Sequence, residues 1–576
     1  MNLQRVINPL SWLGVLMVVA GCLWPVWRDW NGAVVAPFGG IDAMLQLGLL
    51  EWTARHGHDP AAWVDLPIFH PVPGALGFMD SLLGQAWLVW PVRWLLKPTA
   101  AGLYNWAFLG SLVAAAGAAA VLWRATGGAW RLAGVFALAL VGAPYTQSQI
   151  GHLNQLPPPF VPVAVAVAIL ALRAHDTSRG GRRWWWVLGA SLVLQAAWGW
   201  YGFAHALLGV ASVKIFWLVT RLRRGADVGG LVKPVVVGAL VPAVLTAVAV
   251  MILAQPQLKV ADRYDSFTRE HVEVRAGSAD IQHLLNRGVY RGEPADWIGR
   301  GVQGQARYEG RARQVLNPGW VALVLAVLGW WRRREIDAEP RMWGRALLAM
   351  GVVGMVLAFG ESVGVPGTDK RLPLPLEWLR TAVPPFKAFR GAWRFSWLMT
   401  IAVAWWAAMG IQILMTSRRR PIFPVAAVAL LVLVSLPMGV PSLAVGPTGA
   451  PYHENKVPPG PVATVPAPEN EYAEDVTEAL WLARALEIGR PVTGGATGWV
   501  PPEVIALRTR LKACEEGREE AADLFLEWKA AGIRLVEIAL RPDDARAEFW
   551  RAALTEYGAR RIAPWPREGY ETYRLD

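Results

Sequence analysis

Residues 234–254 read PVVVGALVPAVLTAVAVMILA, 21 positions without a charged side chain. A helix rises about 1.5 Å per residue, so this run matches the roughly 30 Å hydrocarbon core of a bilayer. Working outward, comparable runs recur at 10–27, 101–123, 130–145, 157–172, 184–200, 203–220, 318–331, 346–360, 392–415 and 422–436. The pattern predicts a mainly α, polytopic transmembrane helix bundle of about eleven spans. The 576 residues are 54% hydrophobic and 17% charged and include 33 tryptophans, which excludes disorder and argues against a purely soluble enzyme.

Charge then orders the spans. Residues 1–440 carry 40 Lys and Arg against 22 Asp and Glu, a net +18, whereas 441–576 carry 16 against 22, a net −6. The basic excess sits in short loops, around Arg124 and Arg131, Arg173 and Arg182, Arg221 and Arg224, Arg332 and Arg345, and Arg418 to Arg420. With eleven spans these loops share one side, which the positive-inside rule makes cytoplasmic. The N-terminus is then inside and the tail outside. No soluble basic patch with recognition aromatics is present, so nucleic acid is not an expected partner. Cys22 and Cys514 are too few and too separated for a disulfide framework or a metal site. Val19-Ala20-Gly21-Cys22 looks like a lipoprotein cleavage box, but apolar character continues through Trp27, so the segment reads as a full span.

The domain expectation follows. Residues 1–440 form the bundle, with outer loops at 28–97, 255–317 and 361–391. Residues 441–469 are rich in proline and read as an extended linker. Residues 470–576 show helical periodicity at 473–488, 502–531 and 542–557, an apolar run at 533–540 and strand-like ends near Ile562 and Thr572. That order predicts a small soluble α/β domain outside the membrane. Residues 76–96 are long enough to span, but Asp80, Gln85 and Arg93 interrupt them, and they read as interfacial helices on the outer surface.

Three features carry candidate chemistry. Asp42 follows Phe38-Gly39-Gly40-Ile41 at the start of an apolar helical segment, where a carboxylate is held ionised and able to accept a proton; a plain helix cap is the alternative. His152 and Asn154 lie in the polar turn Gln147 to Gln155, rich enough in hydrogen-bonding groups to hold a sugar hydroxyl or phosphate oxygen as well as to pack. Lys387, Arg390 and Arg394 lie on the outer side, against the charge rule, and their spacing of three then four predicts one helical face. Lipid headgroups would satisfy them, as would a phosphate or pyrophosphate, which paired guanidinium groups suit. No HExxH, GxSxG or P-loop pattern occurs.

The order of these pieces resembles the GT-C integral membrane glycosyltransferases, particularly the YfhO-like bacterial group. The matching stretches are Gly40-Ile41-Asp42, Phe69-His70-Pro71 with Phe78-Met79-Asp80, Gly151-His152-Leu153-Asn154, and Pro385-Phe386 leading to Phe389-Arg390-Gly391-Ala392-Trp393-Arg394-Phe395; the tail adds Gly495 to Pro501 and 524–540. The resemblance implies an enzyme of the bacterial cytoplasmic membrane that moves a sugar from a polyprenyl-phosphate carrier to a glycan, lipid or protein acceptor on the extracytoplasmic face. Asp42 would be the general base, Arg390 and Arg394 would bind the carrier phosphate with Lys387 beside them, and Asp80, His152 and Asn154 would line the donor pocket. Ile41 stands where many relatives place Gly or a second acid, so whether a divalent cation serves as cofactor stays open. The competing expectations are a transporter or flippase of a lipid-linked or anionic envelope precursor, and a non-catalytic assembly protein.

Overall fold

The structure is a computed structural model that describes residues 3–36, 41–59, 63–176, 181–264, 269, 271–279, 283, 315–364, 371–416, 422–437, 440, 442–444, 461–465, 493, 501–538, 545–564 and 571–575. The helices are, in order, α1 (Leu3–Leu23), α2 (Ile41–His56), α3 (Leu83–Leu96), α4 (Ala100–Ala125), α5 (Ala133–Val141), α6 (Pro144–Ser148) and α7 (Phe160–Asp176). They continue with α8 (Arg182–Trp198), α9 (Trp200–Leu222), α10 (Val228–Arg263), α11 (His271–Ala276), α12 (Trp320–Trp331), α13 (Ala338–Ala358) and α14 (Pro375–Ala382). Last come α15 (Trp397–Thr416), α16 (Ile422–Ser435), α17 (Pro502–Glu515), α18 (Ala521–Ala530) and α19 (Ala545–Glu556). The strands are β1 (Ala33–Val35), β2 (Ser362–Gly364), β3 (Arg371–Pro373), β4 (Ser442–Ala444), β5 (Val462–Val465), β6 (Leu535–Ile538), β7 (Arg560–Pro564) and β8 (Glu571–Arg574).

Every one of the eleven apolar runs coincides with a helix. Among the described residues, six are long and apolar enough to cross a membrane: Val6–Val26, Ala100–Ala125, Trp200–Leu222, Val236–Arg263, Ala338–Ala358 and Ala392–Thr416. The other five are the shorter helices α5, α7, α8, α12 and α16. The chain divides into two compact units. The first, residues 1–27, 107–254 and 263–441, holds most of the bundle.

Tryptophan explains much of the first unit's packing. Trp123 and Trp405 are fully buried with ring centroids 6.0 Å apart, and Trp123 also meets Phe136 at 6.1 Å. Each indole brings a donor that is costly to leave unbonded in an apolar interior, and three of them find acceptors. Trp123 donates to the Ala129 carbonyl at 2.7 Å, Trp405 to the Thr126 hydroxyl at 2.9 Å and Trp406 to the Gly344 carbonyl at 3.0 Å. Glycines allow a close backbone approach between α12 and α15. A Cβ on Gly410 would stand 2.1 Å from the Leu325 carbonyl oxygen, and one on Gly329 would stand 2.4 Å from that of Trp406. Small residues at the interface are how helices associate where burial from water contributes little.

The basic loops gather at one end of this unit. At the C-terminus of α7, Arg173 donates to the Ala125 carbonyl closing α4 (2.8 Å) and pairs with Glu339 at the start of α13 (2.7 Å). Arg221, in the last turn of α9, pairs with Asp176 of α7. These arginines therefore bind helix C-termini, where the dipole favours cations.

The second unit comprises residues 28–106, 255–262 and 442–576. Its sheet has the order β5-β6-β8-β7, with β5 parallel to β6 and the other pairs antiparallel. The helices α17, α18 and α19 supply Leu511, Phe525, Trp528 and Trp550 to the core that Val536 and Ile538 share. Strands β4 and β5 fall inside the proline-rich 441–469; β4 pairs with β1, and β5 is an edge strand, where scarce donors are tolerated. The helix expected at 473–488 and the Gly495-to-Val500 motif lie outside the described residues. Helix α3 has 14 residues, about 21 Å and too short to span. It exposes Trp87, Trp90 and Trp94 and sends Arg93 to buried Glu51 at 2.8 Å, an amphipathic pattern.

The α12–α15 contact supplies a test of the bundle. Gly410→Ala should lower the melting temperature of detergent-purified protein by an amount equivalent to about 1–3 kcal/mol of overpacking, whereas an unchanged melting temperature would show that the two helices do not meet there.

Candidate functional site

The stretch that carries Lys387, Arg390 and Arg394 is built without an α-helix. Pro384–Ala388 is a 3-10 turn, Phe389 is extended, and a second 3-10 turn, Ala392–Ser396, leads into α15. The three cations therefore do not share one helical face as their spacing predicted. Pro384 and Pro385 remove two backbone donors, and the extended Phe389 breaks the run.

Tyr201, in the first turn of α9, replaces the missing helical partners. Its hydroxyl accepts the backbone N–H groups of Arg390 (3.1 Å) and Gly391 (2.8 Å). Its ring meets Phe389 at 4.6 Å, and the Arg394 guanidinium lies 4.6 Å from the ring centroid, a cation–π contact. Phe386, Phe389 and Phe395 pack together beneath, with centroids 5.4 to 6.3 Å apart. Lys387 and Arg390 are exposed, while Arg394 is half-buried with its Nε shielded from solvent and unbonded. The result is a turn with a rigid backbone and cationic side chains. Tyr201 was not singled out in the sequence, and its place in the short break between the 184–200 and 203–220 runs gave no signal.

A second segment runs against this turn. The Arg269 backbone N–H donates to the Lys387 carbonyl at 2.9 Å, and Trp393 N–H donates to the Gly277 carbonyl at 3.1 Å. Gly277 has to be glycine, because a Cβ there would stand 1.9 Å from the Arg390 carbonyl oxygen. The Arg269 side chain is buried and pairs with Glu273 at 3.0 Å. Burial, and then the positive charge of Arg390, push its pKa down to about 10, with Glu273 acting the other way. This concentration of positive charge suits an anion, and Arg269 is a second residue that the linear sequence did not bring forward.

The polar turn after α6 reaches the same region. A Cβ on Gly199 would lie 3.1 Å from the Asn154 carbonyl oxygen, so the His152–Asn154 turn abuts the start of α9, two residues before Tyr201. His152 and Asn154 are half-buried. The turn's other polar groups are buried and serve packing: Gln147 donates to the Ser435 carbonyl at 2.9 Å, and Ser148 to the Tyr145 carbonyl at 2.7 Å. Both sets of sequence-predicted residues in the first unit thus meet the N-terminal turn of α9. Arg221 is in the last turn of that helix, so the cationic site and the basic loops occupy opposite ends of α9.

Asp42 and Asp80 belong to the second unit. Asp42 is the second residue of α2, half-buried in its first turn, where the N-terminal dipole favours a carboxylate. Asp80 is half-buried just before α3, in a stretch held to α2 by Thr53 donating to the Ser81 carbonyl at 3.0 Å. Thr53 is about 16 Å along α2 from Asp42, so the two carboxylates attach to different ends of that helix. Burial pushes the His70 imidazole below its usual range, partly offset by a backbone hydrogen bond with Ala531. Ile41 supplies no second acid beside Asp42, and no group of three or more His, Cys, Asp or Glu among the described residues could hold a metal ion.

No family model matches the chain, and no curated protein matches its sequence. Solved structures do. The arabinofuranosyltransferase AftD from Mycobacteria aligns with 99% of this chain and 40% of its own length, at 13% identity and a TM-score of 0.51. The oligosaccharyltransferase of Archaeoglobus fulgidus, solved in complex with Zn and sulfate, aligns with 92% of this chain and 68% of its own, at 13% identity and a TM-score of 0.50. ArnT from Cupriavidus metallidurans, solved bound to undecaprenyl phosphate, aligns over 98% of both chains at 14% identity and a TM-score of 0.48. The chain thus spans well under half of AftD and most of the oligosaccharyltransferase. At these identities the likeness is one of architecture: the chain shares the polytopic membrane fold of AftD and the oligosaccharyltransferase.

Proposed function

We propose that the protein is a membrane glycosyltransferase that moves a sugar from a polyprenyl-phosphate carrier to an envelope acceptor on the extracytoplasmic face. The observation that carries the reading is the Tyr201-pinned turn of Lys387, Arg390 and Arg394 at the end of the bundle opposite the basic loops. By the positive-inside rule that end faces outward. An outward cluster of cations on fixed backbone suits a phosphate group, and the shared fold supplies the class of chemistry. Within that fold, the motifs quoted above point to the YfhO-like group.

In this reading the Asp42 carboxylate takes the proton from the acceptor hydroxyl as its oxygen attacks the anomeric carbon. The bond between that carbon and the carrier phosphate oxygen breaks, and its electron pair leaves with the phosphate. Arg390 and Arg394 offset the charge that develops there, the kind of electrostatic term that dominates many enzymatic accelerations. Asp80, His152 and Asn154 contact the sugar donor, and Lys387 reinforces the phosphate site. Each role comes from this chain's own residues, and no step passes through a metal. The acceptor is a hydroxyl-bearing glycan, lipid or protein.

Asp42→Asn should lower sugar transfer by about 10²–10⁴-fold at normal protein level, the span expected for loss of a general base. Arg390→Ala should weaken use of the carrier, seen as a higher KM for the lipid-linked donor. Both are read by comparing envelope glycan of the native host and by assay of purified protein; normal glycosylation by both variants would overturn the assignment. Tyr201→Phe keeps the ring but removes the acceptor, and should speed amide exchange at Arg390 and Gly391 roughly fivefold, a loss of about 1 kcal/mol of hydrogen bonding. Unchanged exchange would show that the hydroxyl does not hold the turn.

A further inference from the structure

The described residues from Arg269 to Ala279 are linked to Glu361 and the 371–391 stretch around a buried ion pair to which no function above assigns a role. Glu361 and Arg380 are 3% and 5% exposed. One Glu361 oxygen pairs with Arg380 Nη1, and the other lies 2.8 Å from Nδ1 of the exposed His271. Arg380 uses its second arm differently, donating from Nη2 to the Arg269 carbonyl at 2.7 Å. The same Arg269 residue donates its backbone N–H to the Lys387 carbonyl. A continuous path thus runs from Glu361 through Arg380 and the Arg269 backbone to the cationic turn. Glu361 is itself fixed, because its carbonyl accepts Leu374 N–H at 2.6 Å and it follows Gly360, against which Ser278 packs so closely that a Cβ would clash.

The energetics favour a positioning role over a contribution to stability. A buried ion pair recovers little more than its desolvation cost, and apolar residues of similar volume often replace it without loss. What the pair supplies is direction. A guanidinium can serve a carboxylate with one arm and a carbonyl with the other in fixed geometry, whereas an ammonium cannot. The cationic turn has no helical ladder of its own, so its position depends on such external bonds.

We propose that Glu361 and Arg380 are positioning residues of the anion site, holding Lys387 and Arg390 in place through the backbone of Arg269. The role rests on the phosphate reading for its purpose but not for its mechanics, so the two can fail separately. In the double variant Glu361→Leu/Arg380→Met the buried charges leave together. The full-length protein in detergent should keep its melting temperature within a few degrees, while amide exchange across 384–394 rises at least tenfold and exchange in α13 and α15 stays as in wild type. Undecaprenyl phosphate should bind the double variant at least tenfold more weakly than wild type. Arg380→Lys keeps the charge but not the fork, so it is the variant to use if the double one misfolds, and it should show the same local rise in exchange.

Wild-type exchange across 384–394 in whichever variant folds would overturn the proposal, as would faster exchange with unchanged undecaprenyl phosphate affinity. If wild type itself fails to bind undecaprenyl phosphate, the proposed function falls, and the exchange measurement alone still decides whether the pair holds the turn.

Discussion

The stretch from Pro384 to Ser396 enters a membrane-spanning helix without being one, and its backbone donors must be satisfied from outside. Buried or lipid-facing N–H groups without acceptors cost several kcal/mol, so an irregular segment here persists only where another element supplies the bonds. The Tyr201 hydroxyl does so for Arg390 and Gly391 and the Gly277 carbonyl for Trp393, while the Arg269 N–H serves the Lys387 carbonyl. With the backbone fixed in this way, the three cationic side chains project from a defined frame instead of a mobile loop. The same tyrosine lays its ring against Arg394, so one residue holds the backbone and orients a guanidinium.

The bundle provides what that arrangement needs. Glycine contacts such as Gly329 and Gly410 bring α12 and α15 together, and the donor of each of several buried tryptophans reaches an acceptor on a neighbouring helix or turn. The resulting rigidity fixes the entry of α15 relative to α9, on whose first residues Tyr201 sits. At the far end of α9, arginines bind helix C-termini and pair with acids on adjacent helices. The described arginines at the two ends therefore have different settings: Arg173 and Arg221 are paired with acids, whereas Arg390 is exposed and Arg394 lies against the Tyr201 ring.

Most of the architecture was legible in the residue order because a bilayer imposes a length and a charge rule that act locally. Each apolar run between 10 and 436 is a helix, including the 157–172 and 184–200 runs that fall below strict spanning length, and the tail's apolar run at 533–540 holds the central strand β6. Arg390 and Arg394 stood out in the sequence because the expected topology puts them on the side opposite the basic loops, and the structure does place them at the opposite end of α9 from Arg221. The local conformation around them was misread, since a spacing of three and four suits a helix only where proline and an extended residue do not intervene. Tyr201, Arg269, Glu361 and Arg380 were not legible at all. Tyr201, Arg269 and Arg380 acquire their significance from partners more than 100 residues away in sequence, and Glu361 from the side chains of Arg380 and His271; neither composition nor periodicity encodes such pairings.

The central claim is that the Arg390–Arg394 turn binds the phosphate of a polyprenyl carrier. A cryo-EM structure of the protein with a polyprenyl-phosphate sugar analogue tests it most directly. The account predicts phosphate density within hydrogen-bonding distance of the Arg390 and Arg394 guanidinium groups, with the Tyr201 hydroxyl still bonded to the backbone below. Phosphate density seated on other residues, with that turn empty, would contradict it.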